Sequence, residues 1–286
     1  MKLINRVALI TGAGRGVGRA IAEGFAREGA DVALAARTEA ELEKTAENIQ
    51  AIGHRVLAIP TDVSDPSAVK HLVKMVLDEY GQIDIFVNNA GRQPPIGPLL
   101  NCDIENWIRT IMVNLVGPML CCRAVLPGMI DRGRGKIINL SGGGATSPRP
   151  NFSAYAASKA AIVRVTETLA EEIKPFNIQV NAIAPGTINT RMLDEVLAAG
   201  KTAGEVALSQ AKKQKETGGD SLEKVVALAV FLASDESGSL TGKLISAQHD
   251  PWQEWVGKAE ELNATPLYTI RRLDPFTIKP LIKELG

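Results

Sequence analysis

Two residues, Tyr155 and Lys159, carry the side chains in this chain that are best suited to acid–base chemistry. A spacing of four places the phenol and the ammonium on one face of a helix, one turn apart. A free tyrosine has a pKa of about 10 and exchanges protons poorly at neutral pH, whereas a neighbouring cation favours the phenolate. The pair therefore predicts a general acid/base, although a Tyr-x-x-x-Lys pair alone is weak evidence.

A glycine-rich segment near the N-terminus, Thr11 to Gly18, gives the pair a context. It follows the apolar run Val7–Ile10 and precedes an amphipathic stretch, as an ordinary strand–helix connection also would. Glycines at such a turn let backbone N–H groups approach a pyrophosphate closely. The spacing is Thr-Gly-x-x-x-Gly-x-Gly, and we interpret it as a dinucleotide-binding loop. The residues of this loop expected at the coenzyme are Gly12, Gly14, Arg15, Gly16, Val17 and Gly18.

Apolar runs alternate with helix-like segments as far as residue 245. Strands separated by helices imply a parallel sheet with right-handed crossovers. Asp220 to Glu223 resembles a capping box that opens a helix from Leu222 to Leu232. The strands are expected at Val7–Ile10, Asp31–Ala36, Arg55–Pro60, Ile83–Val87, Lys136–Leu140, Ile178–Ile183 and Lys243–Ile245.

Composition excludes several classes of protein. The chain has 286 residues, and its 32 basic and 32 acidic residues cancel, so nothing indicates binding to nucleic acid or to an anionic membrane. No secretory signal is expected at the start, and no segment is expected to approach the roughly 20 apolar residues of a membrane span. Cys102, Cys121 and Cys122 fit no zinc pattern and are expected to be reduced and buried. A cytoplasmic location is therefore expected.

Taken together, the motifs resemble the short-chain dehydrogenase/reductase family, in the family's order and at family-like spacings over about residues 5 to 245. The resemblance implies an α/β fold, a Rossmann-type doubly wound parallel sheet of about seven strands flanked by helices, and nicotinamide-dependent carbonyl/alcohol chemistry. Residues 1–245 are expected to form one dinucleotide-binding and catalytic domain. The matching positions are Thr11 to Gly18, Asp62-Val63, Asn88-Asn89-Ala90-Gly91, Asn114, Tyr155 with Lys159, and Pro185-Gly186 with Thr190.

The same resemblance implies roles for individual residues. Tyr155 would protonate the substrate oxygen as hydride is transferred, and Lys159 would lower the tyrosine pKa and hold the nicotinamide ribose. Asn114 would anchor a water that links Lys159 to solvent. The other residues expected at the coenzyme are Asp62, Val63, Asn89, Ala90, Gly91, Pro185, Gly186, Ile188 and Thr190, besides Tyr155 and Lys159 themselves.

The catalytic serine of the family usually lies thirteen residues before the tyrosine, and that position holds Gly142. Ser141 stands one residue earlier and is followed by three glycines that are flexible enough to alter the turn. We assign Ser141 as the oxyanion-type hydrogen-bond donor, with Ser147 and Ser153 as further candidates.

The choice of coenzyme follows from charge. An acidic residue at the end of the second strand would bind the ribose 2′-OH of NAD, but here that strand is followed by Arg37. Arg15 in the glycine loop supplies a second guanidinium, and two guanidiniums suit a 2′-phosphate. NADP(H) is therefore favoured, and NAD(H) remains possible with Arg37 as a solvated residue.

The functional prediction is an NAD(P)(H)-dependent oxidoreductase that interconverts a ketone and a secondary alcohol of a small molecule. One alternative is an NAD-linked dehydrogenase of a sugar, sterol or other alcohol. Another is a dinucleotide-binding sensor or scaffold without turnover. Residues 246–286 depart from the family as a C-terminal extension, in which Trp252 and Trp255 are expected to anchor it on the body or on another subunit. A homodimer or homotetramer is expected.

Overall fold

The computed structural model describes residues 1–272 and 274, and its centre is a sheet of seven parallel strands. The spatial order is β3-β2-β1-β4-β5-β6-β7, so β2 and β3 lie on one side of β1, and the chain then crosses to the other side of β1 to form β4. In parallel sheets of this kind, ligands bind at the carboxyl ends of the strands where the order reverses. The strands are β1 Val7–Thr11, β2 Asp31–Ala36, β3 Val56–Pro60, β4 Ile85–Asn88, β5 Gly135–Leu140, β6 Ile178–Ala184 and β7 Leu244–Ser246.

Helices cover both faces of the sheet. Alternation along the strands decides which face each side chain joins: Ala8 and Ile10 of β1 face one layer, and Val7 and Leu9 face the other. The first layer is built mainly on α1, α2 and α9, and the second on α3, α5 and α6. The α-helices are α1 Gly16–Arg27, α2 Glu39–Ala51, α3 Pro66–Tyr80, α4 Ile104–Ile111, α5 Gly117–Arg132, α6 Ser153–Glu172, α7 Arg191–Ala199, α8 Glu205–Thr217, α9 Leu222–Ala233 and α10 Ala259–Asn263.

The predicted fold class is confirmed, and each predicted strand lies within two residues of an observed one. One local prediction was wrong. The cap of α9 is Ser221, whose hydroxyl accepts from the Lys224 N–H at 3.2 Å. Asp220, the expected start of a capping box, instead accepts from the N–H and the hydroxyl of Thr187. The carboxylate therefore fastens the segment after β6 rather than the start of the helix.

Helix α4, a π-helical turn at Met112–Val116 and helix α5 form one continuous helix, Ile104–Arg132. Among the described residues it is the one helix long and apolar enough to cross a membrane. The expectation that no segment approaches a membrane span was therefore wrong by length and composition. Cys121, Val125 and Met129 of this helix are buried in the layer beneath β4 and β5. These three side chains thus belong to the core.

The described part of the C-terminal extension packs on its own chain. Trp252 and Trp255 belong to the layer of α1 and α9, with the Trp252 ring 5.9 Å from that of Phe231. The N–H of Leu244 in the edge strand β7 donates to the carbonyl of Tyr268 at 2.7 Å. The extension therefore covers the edge of the sheet and completes one hydrophobic layer. The predicted contact with another subunit stays a prediction, and residues 273 and 275–286 lie outside the described residues.

Trp252→Ala is expected to lower the free energy of unfolding by roughly 3–5 kcal/mol, because a large buried ring leaves a cavity against α9. Val256→Ala, four residues further on, is the matched control, since Val256 is exposed. The Val256→Ala substitution should change the free energy of unfolding by no more than about 0.5 kcal/mol. Urea denaturation of both variants measures the difference, and equal effects would show that the extension does not contribute to the core.

Candidate functional site

The glycine loop lies between β1 and α1 at the point where the strand order reverses. Gly12 and Gly16 have φ of +65° and +55°, a left-handed conformation that glycine adopts without steric cost. The first turn of α1 has no acidic residue, and Arg15 at its N-cap makes no side-chain cap. The N–H groups of this turn are thus left for an anion, which the helix dipole also favours.

The loop is fastened to the end of β4. The Thr11 hydroxyl donates to the carbonyl of Val87 at 3.2 Å and accepts from the N–H groups of Asn89 and Ala90 at 3.1 and 3.2 Å. The Asn89 amide donates to the carbonyls of Thr11 and Gly12. These bonds hold two loops of the sheet edge as one surface.

The glycine loop and the end of β4 lie so close together that no side chain fits at two of the glycine positions. A Cβ atom on Gly18 would lie 2.3 Å from Asn89 Nδ2, and one on Gly12 would lie 2.8 Å from Ala90 Cα. Glycine is therefore required at both positions by packing, while the surface of the loop stays free to meet a ligand.

A cavity of about 650 Å³ opens above this surface. Its size, its uncapped helix N-terminus and its glycine-lined wall fit a dinucleotide. Of the predicted coenzyme residues, all line the cavity except Gly18, which packs beneath the loop, and Gly186 and Ile188, which pack against other parts of the chain. Gly186 is needed because a Cβ there would lie 2.5 Å from Asp220 Oδ2, and Ile188 packs against the core.

Asp62, at the end of β3, is held as a carboxylate. Burial pushes its pKa up, but hydrogen bonds from the hydroxyl and the N–H of Ser64 and the charge of Arg37 outweigh this and lower the pKa. Asp62 and Arg37 both line the cavity. One end of the cavity therefore presents an acceptor beside an exposed guanidinium.

Tyr155 and Lys159 lie on α6, as the spacing predicts, and both are buried at the other end of the cavity. The Lys159 ammonium lies 5.6 Å from the centre of the Tyr155 ring and donates to the carbonyl of Leu140 at 2.7 Å. The ammonium is thus held between the end of β5 and the phenol.

The electrostatics of the pair differ from the expectation of a lowered tyrosine pKa. Burial raises the pKa of Tyr155, and the charge of Arg149, rather than that of Lys159, opposes this rise. Burial also lowers the pKa of Lys159 from 10.5 to about 8. Loss of solvation is therefore the largest influence on the pKa of both groups. Tyr155 therefore holds its proton at neutral pH.

Gly142 lies at the position where the resembled family carries its serine. A Cβ atom on Gly142 would lie 2.5 Å from the Tyr155 hydroxyl oxygen, so this backbone directly faces the phenol. Ser141 is buried, and its hydroxyl donates to the carbonyl of Lys159 at 3.3 Å. Ser153 accepts from the Trp107 indole, and Ser147 is exposed. Ser141 also lines the cavity together with Tyr155 and Lys159, and its catalytic role stays a prediction.

Asn114 lies in the π-helical turn, a feature often found at functional sites. Its amide donates to the carbonyl of Arg92 and to the hydroxyl of Ser158, and its oxygen accepts from the Arg92 N–H. A Cβ on Gly91 would lie 3.5 Å from the Asn114 oxygen and 3.8 Å from Lys159 Nζ. Asn114 and Lys159 therefore converge on one glycine, and a water relay between them stays a prediction.

Two residues at or beside the cavity carry no motif. Glu195 on α7 lines the cavity with a buried oxygen that has no hydrogen-bond partner among the described residues, and burial raises the pKa of its carboxyl. Arg149, in the loop after β5, lies 5.3 Å from the Tyr155 ring. Neither stands at a fixed spacing from Tyr155 or the glycine loop, so sequence reasoning had no signal for them.

Comparison with known proteins agrees with this geometry. The family model described as short chain dehydrogenase matches residues 6–200. The chain is 36% identical over 250 residues to the (2S)-[(R)-hydroxy(phenyl)methyl]succinyl-CoA dehydrogenase subunit BbsD of Thauera aromatica, covering 86% of this chain and 96% of that protein. The 3-oxoacyl-[acyl-carrier-protein] reductase FabG of Thermotoga maritima is 36% identical over 245 residues, covering 86% and 97%.

A crystal structure of NAD+-bound xylitol dehydrogenase superimposes with a TM-score of 0.81 at 30% identity, covering 87% of this chain and all of that one. The chain belongs to the short-chain dehydrogenase/reductase family. It is an oxidoreductase that acts on CH–OH or C=O groups, in a family that binds NAD(P). The resemblance drawn from the ordered motifs is thereby confirmed.

Lys159→Met tests the electrostatics of the site through stability. Because the folded pKa of Lys159 is about 8 and its ordinary value is 10.5, the unfolded chain binds more protons between these pH values. The stability of the wild type therefore rises with pH across this window relative to the variant, by roughly 3 kcal/mol. Urea denaturation of both proteins at pH 7 and pH 10 measures this change.

Lys213→Met on the exposed side of α8 is the control. The difference in the free energy of unfolding between this variant and the wild type should not change with pH. The same pH-independent difference for Lys159→Met would show that the ammonium is not desolvated.

Proposed function

We propose that this protein is an NADP(H)-dependent reductase that interconverts a ketone and a secondary alcohol, with Tyr155 as general acid/base. The observation that carries the proposal is the buried Tyr155–Lys159 pair at one end of a cavity whose other wall is the glycine loop. The bound nicotinamide supplies or accepts the hydride in this chemistry.

The state of Tyr155 favours the direction of reduction at neutral pH. Since burial raises its pKa, the phenol is protonated and can donate to the oxygen of a carbonyl. The reverse direction needs the phenolate and therefore becomes faster as the pH rises. Lys159 would bind the ribose hydroxyls, and Asn114 would connect the ammonium to solvent through water.

The preference for NADP(H) is proposed from Arg37. This guanidinium is exposed at the end of β2 and forms no salt bridge within residues 1–272 and 274, although its charge acts on the nearby Asp62 carboxylate. A 2′-phosphate would satisfy it through charge-assisted hydrogen bonds. Arg15, the second candidate, already pairs with Glu41 at 2.9 Å. Arg37 is therefore the main determinant in this proposal.

The NAD-linked alternative rests on two observations. The similar xylitol dehydrogenase was crystallised with NAD+, and the Glu41 carboxylate reduces the positive charge that Arg15 brings to the cavity. A sensor without turnover has only Gly142 in its favour, and membership of this family favours an enzyme.

Tyr155→Phe is expected to reduce the turnover of ketones by at least roughly 100-fold, since it removes the proton donor and leaves the ring. Coenzyme binding, measured by fluorescence titration, should be retained. Tyr80→Phe is the matched control because its hydroxyl donates to the Val32 carbonyl, away from the cavity. A fully active Tyr155→Phe enzyme in a broad carbonyl screen would exclude the proposed mechanism.

Arg37→Ala is expected to raise the KM for NADPH roughly 10- to 100-fold with little effect on that for NADH, because one charge-assisted contact is lost. Arg15→Ala should have a smaller effect, since Glu41 already shares its charge. Steady-state kinetics with both coenzymes measure the changes. A wild-type preference for NADH that Arg37→Ala leaves unchanged would favour the NAD-linked alternative instead.

We also propose that the protein forms a homodimer or homotetramer in the cytoplasm. Enzymes of this family are commonly oligomeric. A cluster of exposed apolar side chains at the start of the long helix is consistent with a contact surface. It contains Leu99, Leu100, Ile104 and Ile108.

A further inference from the structure

We infer that Arg149 binds an anionic group of the substrate, a carboxylate close to the reacting carbonyl, so that the substrates are short oxo acids and the corresponding hydroxy acids. This inference rests on the proposed function, because it places the carbonyl at Tyr155. It goes beyond that function by assigning the substrate class and the residue that selects it.

Arg149 is held rigidly beside the acid/base. The carbon of its guanidinium lies 4.0 Å from the centre of the Phe152 ring and 5.3 Å from that of Tyr155. With its amide oxygen toward the guanidinium, the buried Gln93 accepts from both Nη atoms at 3.0 Å and donates to the Met192 carbonyl at 3.0 Å. Aromatic faces and a bridging amide thus fix the cation before any ligand arrives.

This arrangement leaves the charge itself unpaired. A guanidinium has five N–H donors, and the Gln93 oxygen takes one from each Nη. Within residues 1–272 and 274, no aspartate or glutamate forms an ion pair with Arg149. The side chain is partly buried, and loss of solvation lowers its pKa. Desolvated charges in proteins are usually paired, so this one is set up for an anion from outside the chain.

Two adjacent glycines after β5, Gly142 and Gly143, lie close to the Tyr155 hydroxyl and to the Arg149 guanidinium, respectively. A Cβ on Gly142 would lie 2.5 Å from the Tyr155 hydroxyl oxygen, and one on Gly143 would lie 3.8 Å from Arg149 Nη1. Consecutive Cα atoms are about 3.8 Å apart, so the Tyr155 hydroxyl and the Arg149 guanidinium lie next to neighbouring residues of one loop. A ligand that reaches both must carry its carbonyl and its anion only a few bonds apart. A carboxylate also matches the planar fork of arginine.

The experiment compares acids with neutral partners of nearly equal shape: pyruvate with pyruvamide, and acetoacetate with acetoacetamide. The ratio of kcat/KM for acid over amide is measured in the wild type, Arg149→Gln, Arg149→Lys and the control Arg123→Gln, an exposed arginine on α5. A ratio is used because it is insensitive to a general loss of activity.

The wild type and Arg123→Gln should prefer an acid by roughly 10- to 100-fold. The preference should disappear in Arg149→Gln, mainly through KM, and Arg149→Lys should keep part of it as a point charge. If Arg149→Gln does not fold, competitive inhibition of the wild type by malonate against a neutral ketone, weakened in Arg149→Lys, gives the same support.

Equal turnover of acids and amides, or a preference that Arg149→Gln leaves intact, would overturn the inference while the proposed reductase stands. The same holds if the enzyme reduces neutral ketones but neither turns over these acids nor is inhibited by malonate. Failure to reduce any carbonyl compound with either coenzyme would instead overturn the proposed function, and the inference with it.

Discussion

The close contact between the glycine loop and the end of β4 is the constraint on which the site depends. Backbone groups of Thr11 and Gly12 bond directly to Asn89, at distances that leave no room for a Cβ on Gly12 or Gly18. Because the sheet reverses its order at this point, the same contact opens the cavity between the two halves of the sheet. The coenzyme surface and the fold therefore have a common origin, which is why the glycine spacing is informative about both.

What the sequence could predict follows from this coupling. The strands are short apolar runs buried on both faces, so their positions and their parallel arrangement were readable from composition. The coenzyme half of the cavity is built from strand ends with fixed loop lengths, and residues such as Asp62 and Thr190 line it as the motif order implied. Capping at Ser221 instead of Asp220 was not readable, because the choice depends on the distant Thr187.

The sign of the tyrosine shift was also beyond sequence reasoning. Spacing on a helix shows that Lys159 is near Tyr155, but it does not show how far both groups are removed from water. In the folded chain the ammonium bonds to the Leu140 carbonyl, and neither it nor Arg149 pairs with a carboxylate within residues 1–272 and 274. Two desolvated cations thus flank a desolvated phenol. Burial of the phenol outweighs the opposing charge of Arg149, so Tyr155 keeps its proton at neutral pH and can donate it when charge develops on a bound oxygen.

Gly142 gives this arrangement a geometric consequence. A serine at position 142 on the present backbone would place its Cβ 2.5 Å from the Tyr155 oxygen. The phenol therefore occupies the space that a side chain at this position would need. Without that hydroxyl, the carbonyl has one fewer group to orient it, and orientation is a large part of the rate in such reactions. A second point of attachment on the substrate can replace it. In our inference Arg149, fixed by Phe152 and Gln93, supplies that point from the same loop, and a charge bound there fixes the carbonyl against Tyr155.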